Sequence, residues 1–225
     1  MTKRLAILRL VAIIGFVLTL TIWSWVLNQQ FDQAQSFLII VGGVLAVFPV
    51  IWIGRKLLDV QPTIDRTAWV TTLIHFVLMT LFGAAIIKAI QTGQSWRGWV
   101  IPLPAEVGLV LMVVTGTAML LSVVNLALQG LGAPFAIALS RRLAMSWMYA
   151  WTRNPMVLSA LTFLIALGLW LRSTLFLLWV LGLLMPAELL FLKVYEEREL
   201  EIRFGASYLA YKAKTPMLWP RKPSV

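Results

Sequence analysis

The chain has 225 residues, of which 60% are hydrophobic and 12% are charged, whereas soluble domains carry roughly 25% charged residues. This composition excludes an ordinary soluble fold and predicts an all-α integral membrane protein embedded in a lipid bilayer. The formal net charge of +10 would suggest a nucleic-acid partner in a soluble protein. Here the basic residues concentrate in alternate loops between apolar stretches, so no nucleic acid is implied.

Four stretches lack Asp, Glu, Lys and Arg, and each is long enough for a bilayer span of about 20 residues. They are 10–31, 33–54, 67–87 and 107–140. Connections are expected at 28–32, 55–66 and 91–104. Two shorter apolar stretches, 154–171 and 173–192, predict a helical hairpin with its turn at Arg172 and Ser173. The prediction is therefore a bundle of about six transmembrane helices, with residues 1–128 as a four-helix scaffold and 129–225 as the functional part.

The basic residues predict the orientation of these six spans. One side of the membrane receives 16 of the 19 Lys and Arg residues, and the other side keeps Lys88, Arg97 and Arg172. Because cytoplasmic loops carry the excess of Lys and Arg, both termini are expected in the cytoplasm, together with Lys56 and Arg142. Gln94 is then expected on the opposite side.

The charge density rises after the hairpin. Between Lys193 and Arg203 the signs alternate, with Lys193/Glu197 and Glu199/Arg203 spaced four residues apart, which favours a solvated helix. Gly205 is placed to end that helix with a left-handed cap. A helical face with Tyr208 and Tyr211 follows. This arrangement predicts a cytoplasmic C-terminal helix that acts as a lid over a polar site.

The C-terminal part contains an ordered set of short motifs. They are G-A-P at 132–134, R-R-L at 141–143, Y-A-W-T-R-N-P-M at 149–156, E-E at 196–197, F-G-A-S-Y-L-A-Y at 204–211 and P-M-L-W-P at 216–220. This set resembles the C-terminal core of the isoprenylcysteine carboxyl methyltransferases and the related phospholipid methyltransferases of membranes. The resemblance covers about 40% of the chain, within the size expected of one domain.

The resemblance implies an enzyme that uses S-adenosylmethionine to methylate a lipophilic acceptor in the membrane. It assigns cofactor binding to Arg153, Asn154, Pro155, Glu196, Glu197, Phe204, Tyr208 and Tyr211. Either glutamate can pair with the ammonium and offset the sulfonium charge, and Arg153 can hold a carboxylate in a two-point contact. Any of the three aromatic residues can cover the adenine or the sulfonium.

Each of these assignments has a structural alternative. Arg153 also fits an anchor of the positive-inside rule. The glutamates also fit a solvated helix face, and the two tyrosines also fit interfacial aromatic residues.

Glu188 and Arg153 are the candidate catalytic residues. Glu188 lies within the last apolar stretch, where an ionisable side chain indicates function. His75, the single histidine, is expected to have a hydrogen-bonded packing role. With one histidine and no cysteine, no metal site is expected.

Two positions depart from the family pattern. Asn154 stands where many members have histidine, and since Asn cannot act as a general base, proton transfer at this position is excluded. Trp147 and Met148 replace a pair that is usually Gly-Pro or similar.

Two other functions remain open on the sequence alone. A sterol-type reductase shares a similar hairpin and binds NADPH, but the sequence shows no extra basic pocket for a 2′-phosphate. A non-enzymatic membrane scaffold or transporter predicts polar residues scattered through several spans, and spans one to four are almost purely apolar.

Overall fold

The computed structural model describes residues 3–93, 100–130, 132 and 139–223, without the side chains of 3–5. Helices form nearly all regular structure in this part of the chain. They are α1 (Lys3–Asn28), α2 (Gln33–Val60), α3 (Ile64–Gly93), α4 (Ala105–Gly130), α5 (Met148–Trp151), α6 (Pro155–Trp170), α7 (Thr174–Phe204) and α8 (Ala206–Lys214). Arg97, Gln94 and most of the G-A-P motif lie outside the described residues.

Five of these helices are long and apolar enough to cross a membrane, namely α1, α2, α3, α4 and α7. Helix α6 is apolar but has only 16 residues. The all-α prediction is confirmed, and so is a membrane protein in the coarse sense that several helices have the length and composition of spans.

Two sequence predictions about helix boundaries are wrong. The connection expected at 55–66 is reduced to 61–63, because α2 stays helical through Arg55 and Lys56 to Val60. The second hairpin helix does not end near residue 192 either. It is α7, which has 31 residues and continues through the charged stretch to Phe204. Pro186 is tolerated inside α7 directly after a π-helical segment, Val180–Leu184, where the regular hydrogen-bond pattern is already interrupted. Helix α7 ends before Gly205, as predicted, and Gly205 has a positive φ of 53°. The predicted left-handed cap is wrong, because its ψ of −129° lies outside the left-handed helical region.

The chain divides into two compact units that interleave along the sequence. Among the described residues, the first contains 3–93 and 181–203, and the second contains 100–130, 132, 139–180 and 204–223. The predicted functional division at residue 128 follows a different criterion, the position of the motifs, and stays a prediction.

In the first unit, α1 packs against α3 through glycines that admit large side chains. A Cβ on Gly15 would lie 2.7 Å from the Phe76 ring, and one on Gly83 would lie 2.2 Å from the Trp23 ring. The hydroxyls of Thr19 and Thr80 are 2.9 Å apart. Since lipid tails are as apolar as the helices, close packing and interhelical hydrogen bonds of this kind stabilise helix pairs in a bilayer.

In the second unit, α4 and α6 run antiparallel and in contact. A Cβ on Gly108 would lie 2.2 Å from the main-chain nitrogen of Trp170, and one on Gly116 would lie 3.5 Å from the Phe163 ring. The predicted turn at Arg172 is confirmed, with a φ of 54°. Its carbonyl accepts a hydrogen bond from the amide of Ile101 at 3.1 Å, which fixes the turn beside the start of α4.

Candidate functional site

The R-N-P motif forms the junction between the short helix α5 and helix α6. Trp147 precedes α5 with a φ of 56°, a conformation that is uncommon for a residue with a side chain. After α5 the backbone becomes extended at Thr152, with φ and ψ of −149° and 148°. Pro155 then begins α6, where a missing amide hydrogen costs nothing. This geometry leaves the carbonyl of Trp151 and the amide of Arg153 available to another segment.

The C-terminal tail takes up those backbone groups. The amide of Arg153 donates to the carbonyl of Pro216 at 2.9 Å, and the amide of Arg221 donates to the carbonyl of Trp151 at 3.0 Å. The carbonyl of Met217 accepts from the hydroxyl of Thr152 at 3.1 Å and from the side-chain nitrogen of Asn154 at 3.0 Å. The P-M-L-W-P motif is therefore docked on the R-N-P motif by main-chain and side-chain hydrogen bonds.

The two tyrosines of α8 face the same junction and are buried. The Nη1 of Arg153 donates to the hydroxyl of Tyr208 at 2.8 Å, and the guanidinium carbon lies 5.9 Å from the Tyr208 ring centroid. The hydroxyl of Tyr211 donates to the carbonyl of Tyr149 at 2.6 Å. The alternative of interfacial aromatics is wrong, because both rings are packed inside protein.

Burial raises the pKa of the Tyr211 phenol, with a smaller contribution in the same direction from Tyr149. The phenol therefore stays protonated over the physiological pH range. Its hydrogen bond to the carbonyl of Tyr149 is a constant part of the junction.

The acidic candidates lie on α7, in the first compact unit. Glu197 is only 5% exposed, and its Oε2 lies 3.5 Å from the Nζ of Lys193. Glu199 is 3% exposed and forms an ion pair with Arg203. The i,i+4 pairs are confirmed, but the expected solvated helix is wrong for these two glutamates, because their carboxylates are covered. Glu188 and Glu196 are half-buried.

A hydrogen-bonded cluster between α3 and α7 explains His75. The Nδ1 of His75 lies 2.9 Å from the carbonyl of Thr71, which can only accept, so Nδ1 carries the proton. The hydroxyls of Tyr195 and Thr71 are 3.2 Å apart, and the His75 ring meets the edge of Phe191 at 5.4 Å between centroids. The predicted packing role of His75 is confirmed.

Arg55 and Gly54 of α2 hold the part of α7 that precedes the two glutamates. Here α7 is π-helical over Phe191–Glu196. The Nη1 of Arg55 donates to the carbonyl of Val194 at 3.0 Å, and Gly54 leaves room for the Tyr195 ring, which a Cβ would approach to 2.7 Å. Asp59 joins the two helices further, at 2.6 Å from Arg55 and 2.7 Å from Arg198.

Sequence reasoning missed several of these residues for identifiable reasons. Arg55 was counted only as a loop charge, and its neighbour Gly54 gave no signal. Tyr149 and Met217 belong to the quoted motifs, yet their part in the junction uses carbonyl groups, which every residue has. Glu199 was visible through its spacing to Arg203, but spacing does not report burial.

The structure thus brings some candidates together. One connected junction in the second unit, next to Pro155, contains Arg153, Asn154, Tyr208 and Tyr211. Phe204, which is the last residue of α7, also belongs to the second unit. Glu188, Glu196 and Glu197 belong to the first unit. The assignment of Asn154, Glu197 and the tyrosines to the binding of one cofactor, which the resemblance implies, stays a prediction. In the described part of the chain, no three His, Asp or Glu side chains lie close enough together to hold a metal ion.

Comparisons with known proteins found no match among protein-family models, curated proteins or solved structures. The motif resemblance of the C-terminal part therefore rests on the residues themselves.

Proposed function

We propose that this protein is a membrane methyltransferase that transfers a methyl group from S-adenosylmethionine to a lipophilic acceptor. The observation that carries the proposal is the docking of the C-terminal motifs on the R-N-P motif. Tyr208 contacts Arg153 and Met217 contacts Asn154, although 55 and 63 residues separate these pairs along the chain. Motifs that are similar to those of one enzyme family are expected to meet in space if they serve one site.

The chemistry of the side chains fits the cofactor. The carboxylates of Glu196 and Glu197 suit its ammonium and sulfonium charges, and the guanidinium of Arg153 suits its carboxylate. Tyr208, Tyr211 and Phe204 provide rings for the adenine or the sulfonium. Pro155 fixes the backbone at the start of α6. The side-chain nitrogen of Asn154 is engaged with Met217, so in this proposal Asn154 contributes chiefly by ordering the tail.

The cofactor supplies an electrophilic methyl group; when the acceptor attacks the methyl carbon, the carbon–sulfur bond breaks and its electron pair remains on sulfur. The protein has to position the reactants and keep water away. A carboxylate acceptor needs no base at neutral pH, because carboxyl pKa values lie near 3–4. An amine acceptor must lose a proton, and Glu188 then takes the role of the base. Arg153 orients the reactants indirectly, because its hydrogen bond holds Tyr208 in place.

We place the protein in a membrane with six crossings and both termini in the cytoplasm. Helix α6 is about 24 Å long at 1.5 Å per residue, which is short for a hydrocarbon core of about 30 Å. It nevertheless lies against α4, from the contact of Gly108 with Trp170 to that of Gly116 with Phe163. If α4 crosses the bilayer, α6 accompanies it through most of the core and counts as the fifth crossing. The acceptor reaches the site sideways from the lipid.

Binding of two labelled cofactors to the purified protein tests this function. We expect saturable binding of S-adenosylmethionine and none of NADPH. Saturable binding of NADPH alone would favour the reductase, and binding of neither would favour a scaffold or transporter. Methyl incorporation into fractionated membrane lipids then identifies the acceptor class.

A further inference from the structure

Asn125 lies near the end of α4 and is fully buried, with 0% of its surface exposed. Within the described residues, neither its side-chain oxygen nor its side-chain nitrogen has a hydrogen-bond partner. Burying a carboxamide in this way is unfavourable, because its donors and its acceptor all lose their bonds to water. Ser122, one turn earlier and equally buried, is satisfied within its own helix by donating to the carbonyl of Met119 at 2.7 Å.

The packing of α4 on α6 places Asn125 at the level of the R-N-P motif. Gly108 meets Trp170 and Gly116 meets Phe163, so residue numbers fall along α6 as they rise along α4. Continuing this antiparallel register from Gly116 to Asn125 reaches Asn154, the residue before α6. Both asparagines belong to the second compact unit.

Helix α4 is irregular directly after Asn125. Leu126–Gly130 is π-helical, and single π-helical turns occur frequently at functional sites. The end of this turn is held in place, since the carbonyl of Gly130 accepts from the amides of Arg141 at 2.8 Å and Arg142 at 3.1 Å. The carboxamide therefore sits directly before a π-helical turn whose end is fixed, at the same level along α4 as the junction described above.

The two asparagines differ in what their carboxamides do. The side-chain nitrogen of Asn154 is used to hold Met217. Asn125 keeps both its donor and its acceptor unused among the described residues. Of these two carboxamides, that of Asn125 therefore keeps its donor and its acceptor available for a ligand.

We propose that Asn125 is a ligand-binding residue whose carboxamide pairs with a planar group that presents a hydrogen-bond donor and acceptor side by side. The inference rests on the proposed methyltransferase function, which supplies two ligands of this chemistry. One is the adenine of the cofactor, in which the N6 amino group lies beside a ring nitrogen. The other is an amide in the lipophilic acceptor. Asn and Gln make such two-point contacts with adenine in nucleic-acid complexes.

The test uses the full-length protein in detergent and the variant Asn125→Leu, which keeps the approximate size of the side chain and removes its polar atoms. Ser122→Ala is the matched control, because it removes a buried hydroxyl one turn away that is satisfied inside the helix. Calorimetry measures binding of S-adenosylhomocysteine and of its 1-deaza and 7-deaza analogues, which each lose one ring-nitrogen acceptor without a change of shape. Initial rates measure the KM for N-acetyl-S-farnesylcysteine, an acceptor probe that carries an amide. Thermal unfolding is measured for every variant.

If adenine is the ligand, Asn125→Leu weakens S-adenosylhomocysteine binding roughly tenfold to a hundredfold. One deaza analogue then binds less tightly than the parent compound to the wild type but equally tightly to the variant. If the acceptor amide is the ligand, cofactor affinity is retained and the KM rises by a similar factor. In both cases the variant unfolds at or above the wild-type temperature, because no hydrogen bond within the protein is lost, and Ser122→Ala binds as the wild type does.

Two outcomes overturn the inference alone. One is a wild type that binds S-adenosylhomocysteine together with an Asn125→Leu variant whose affinity and KM are unchanged. The other is loss of folding in both Asn125→Leu and Asn125→Ala, which would show a structural role. A wild type that binds neither S-adenosylhomocysteine nor S-adenosylmethionine refutes the proposed function itself and this inference with it.

Discussion

Tyr208 connects two parts of the candidate site that are 55 residues apart in the sequence. Its hydroxyl accepts a hydrogen bond from the charged Arg153, and its ring lies beside the guanidinium. Hydrogen bonds to charged groups contribute more than neutral ones. At the scale of single residues, this contact and the hydrogen bond of Tyr211 to Tyr149 hold α8 at the start of α6.

Replacing Tyr208 by Phe removes the hydroxyl and keeps the ring. We expect the free energy of unfolding to fall by about 1.5–3 kcal/mol, because Arg153 loses a partner in a partly buried position. Thermal unfolding in detergent micelles measures the change. Trp219→Phe serves as the control in the same segment, since Trp219 is 76% exposed and surface substitutions usually change stability by about 0.5 kcal/mol or less. A Tyr208→Phe variant as stable as the wild type would show that the bond contributes nothing to docking.

The buried carboxylate of Glu197 leads to a second expectation for single residues. Glu197→Gln should weaken S-adenosylmethionine binding more than Glu188→Gln does, by roughly tenfold to a hundredfold, because it removes a charge-assisted hydrogen bond of about 1.5–3 kcal/mol. Lys193 does not substitute for such a ligand, since its side chain is 64% exposed and exposed ion pairs contribute little. Calorimetry on both variants decides between them. Equal, wild-type affinities would leave Glu197 as a packing residue of α7.

Individual helices were predictable where one physical signal dominates. The length of charge-free sequence located α1 to α4, and Arg172 marked the turn between α6 and α7 because no span continues through it. The prediction from sequence was wrong where the charge pattern and the helix propensity point to different structures. Lys193 to Arg203 looks like a separate solvated helix by charge, yet nothing between Pro186 and Gly205 breaks the backbone, so α7 continues. The π-helical segments gave no signal in the sequence. In one of them, Phe191–Glu196, the carbonyl of Val194 accepts a hydrogen bond from Arg55 of α2, a tertiary contact that the sequence does not reveal.

The packing of α4 on α6 can be tested with two glycines. Gly108→Ala should destabilise the protein by about 1–3 kcal/mol or more, because the new methyl group would meet the main chain of Trp170, which cannot move aside as a flexible side chain can. Gly116→Ala should be neutral or stabilising by up to about 1 kcal/mol, since its methyl group finds ordinary contact distance and alanine favours a helix. Thermal unfolding of both variants gives the comparison. Similar effects at the two positions would contradict the antiparallel register that places Asn125 level with Asn154.

For the whole molecule, composition and charge distribution predicted an all-helical membrane protein because the bilayer imposes both properties on any span. The candidate site was predictable only in part. Motif order indicated that Arg153, Asn154, Tyr208 and Tyr211 belong together, and these residues do meet. Asn125 gave no signal, since it is uncharged and lies inside a stretch that was recognised by its lack of charge. The burial of a polar side chain becomes visible only after the helices have packed.

The number of membrane crossings decides on which side the C-terminal motifs lie. With six crossings, counting α6, the 61–63 connection and α8 share one side; with five, they lie on opposite sides. The basic residues favour six, because α7, α8 and the tail carry Lys193, Arg198, Arg203, Lys212 and Lys214, and cytoplasmic segments hold such an excess. The chain has no cysteine, so Gln61→Cys, Ala213→Cys and Gln30→Cys each introduce a single thiol at an exposed position. In intact cells, a membrane-impermeant maleimide should label the residue 30 variant, while the residue 61 and 213 variants should react only after the membrane is opened. Labelling at 213 without labelling at 61 would mean that α6 does not cross, and the F-G-A-S-Y-L-A-Y and P-M-L-W-P motifs would then face away from the cytoplasmic supply of S-adenosylmethionine.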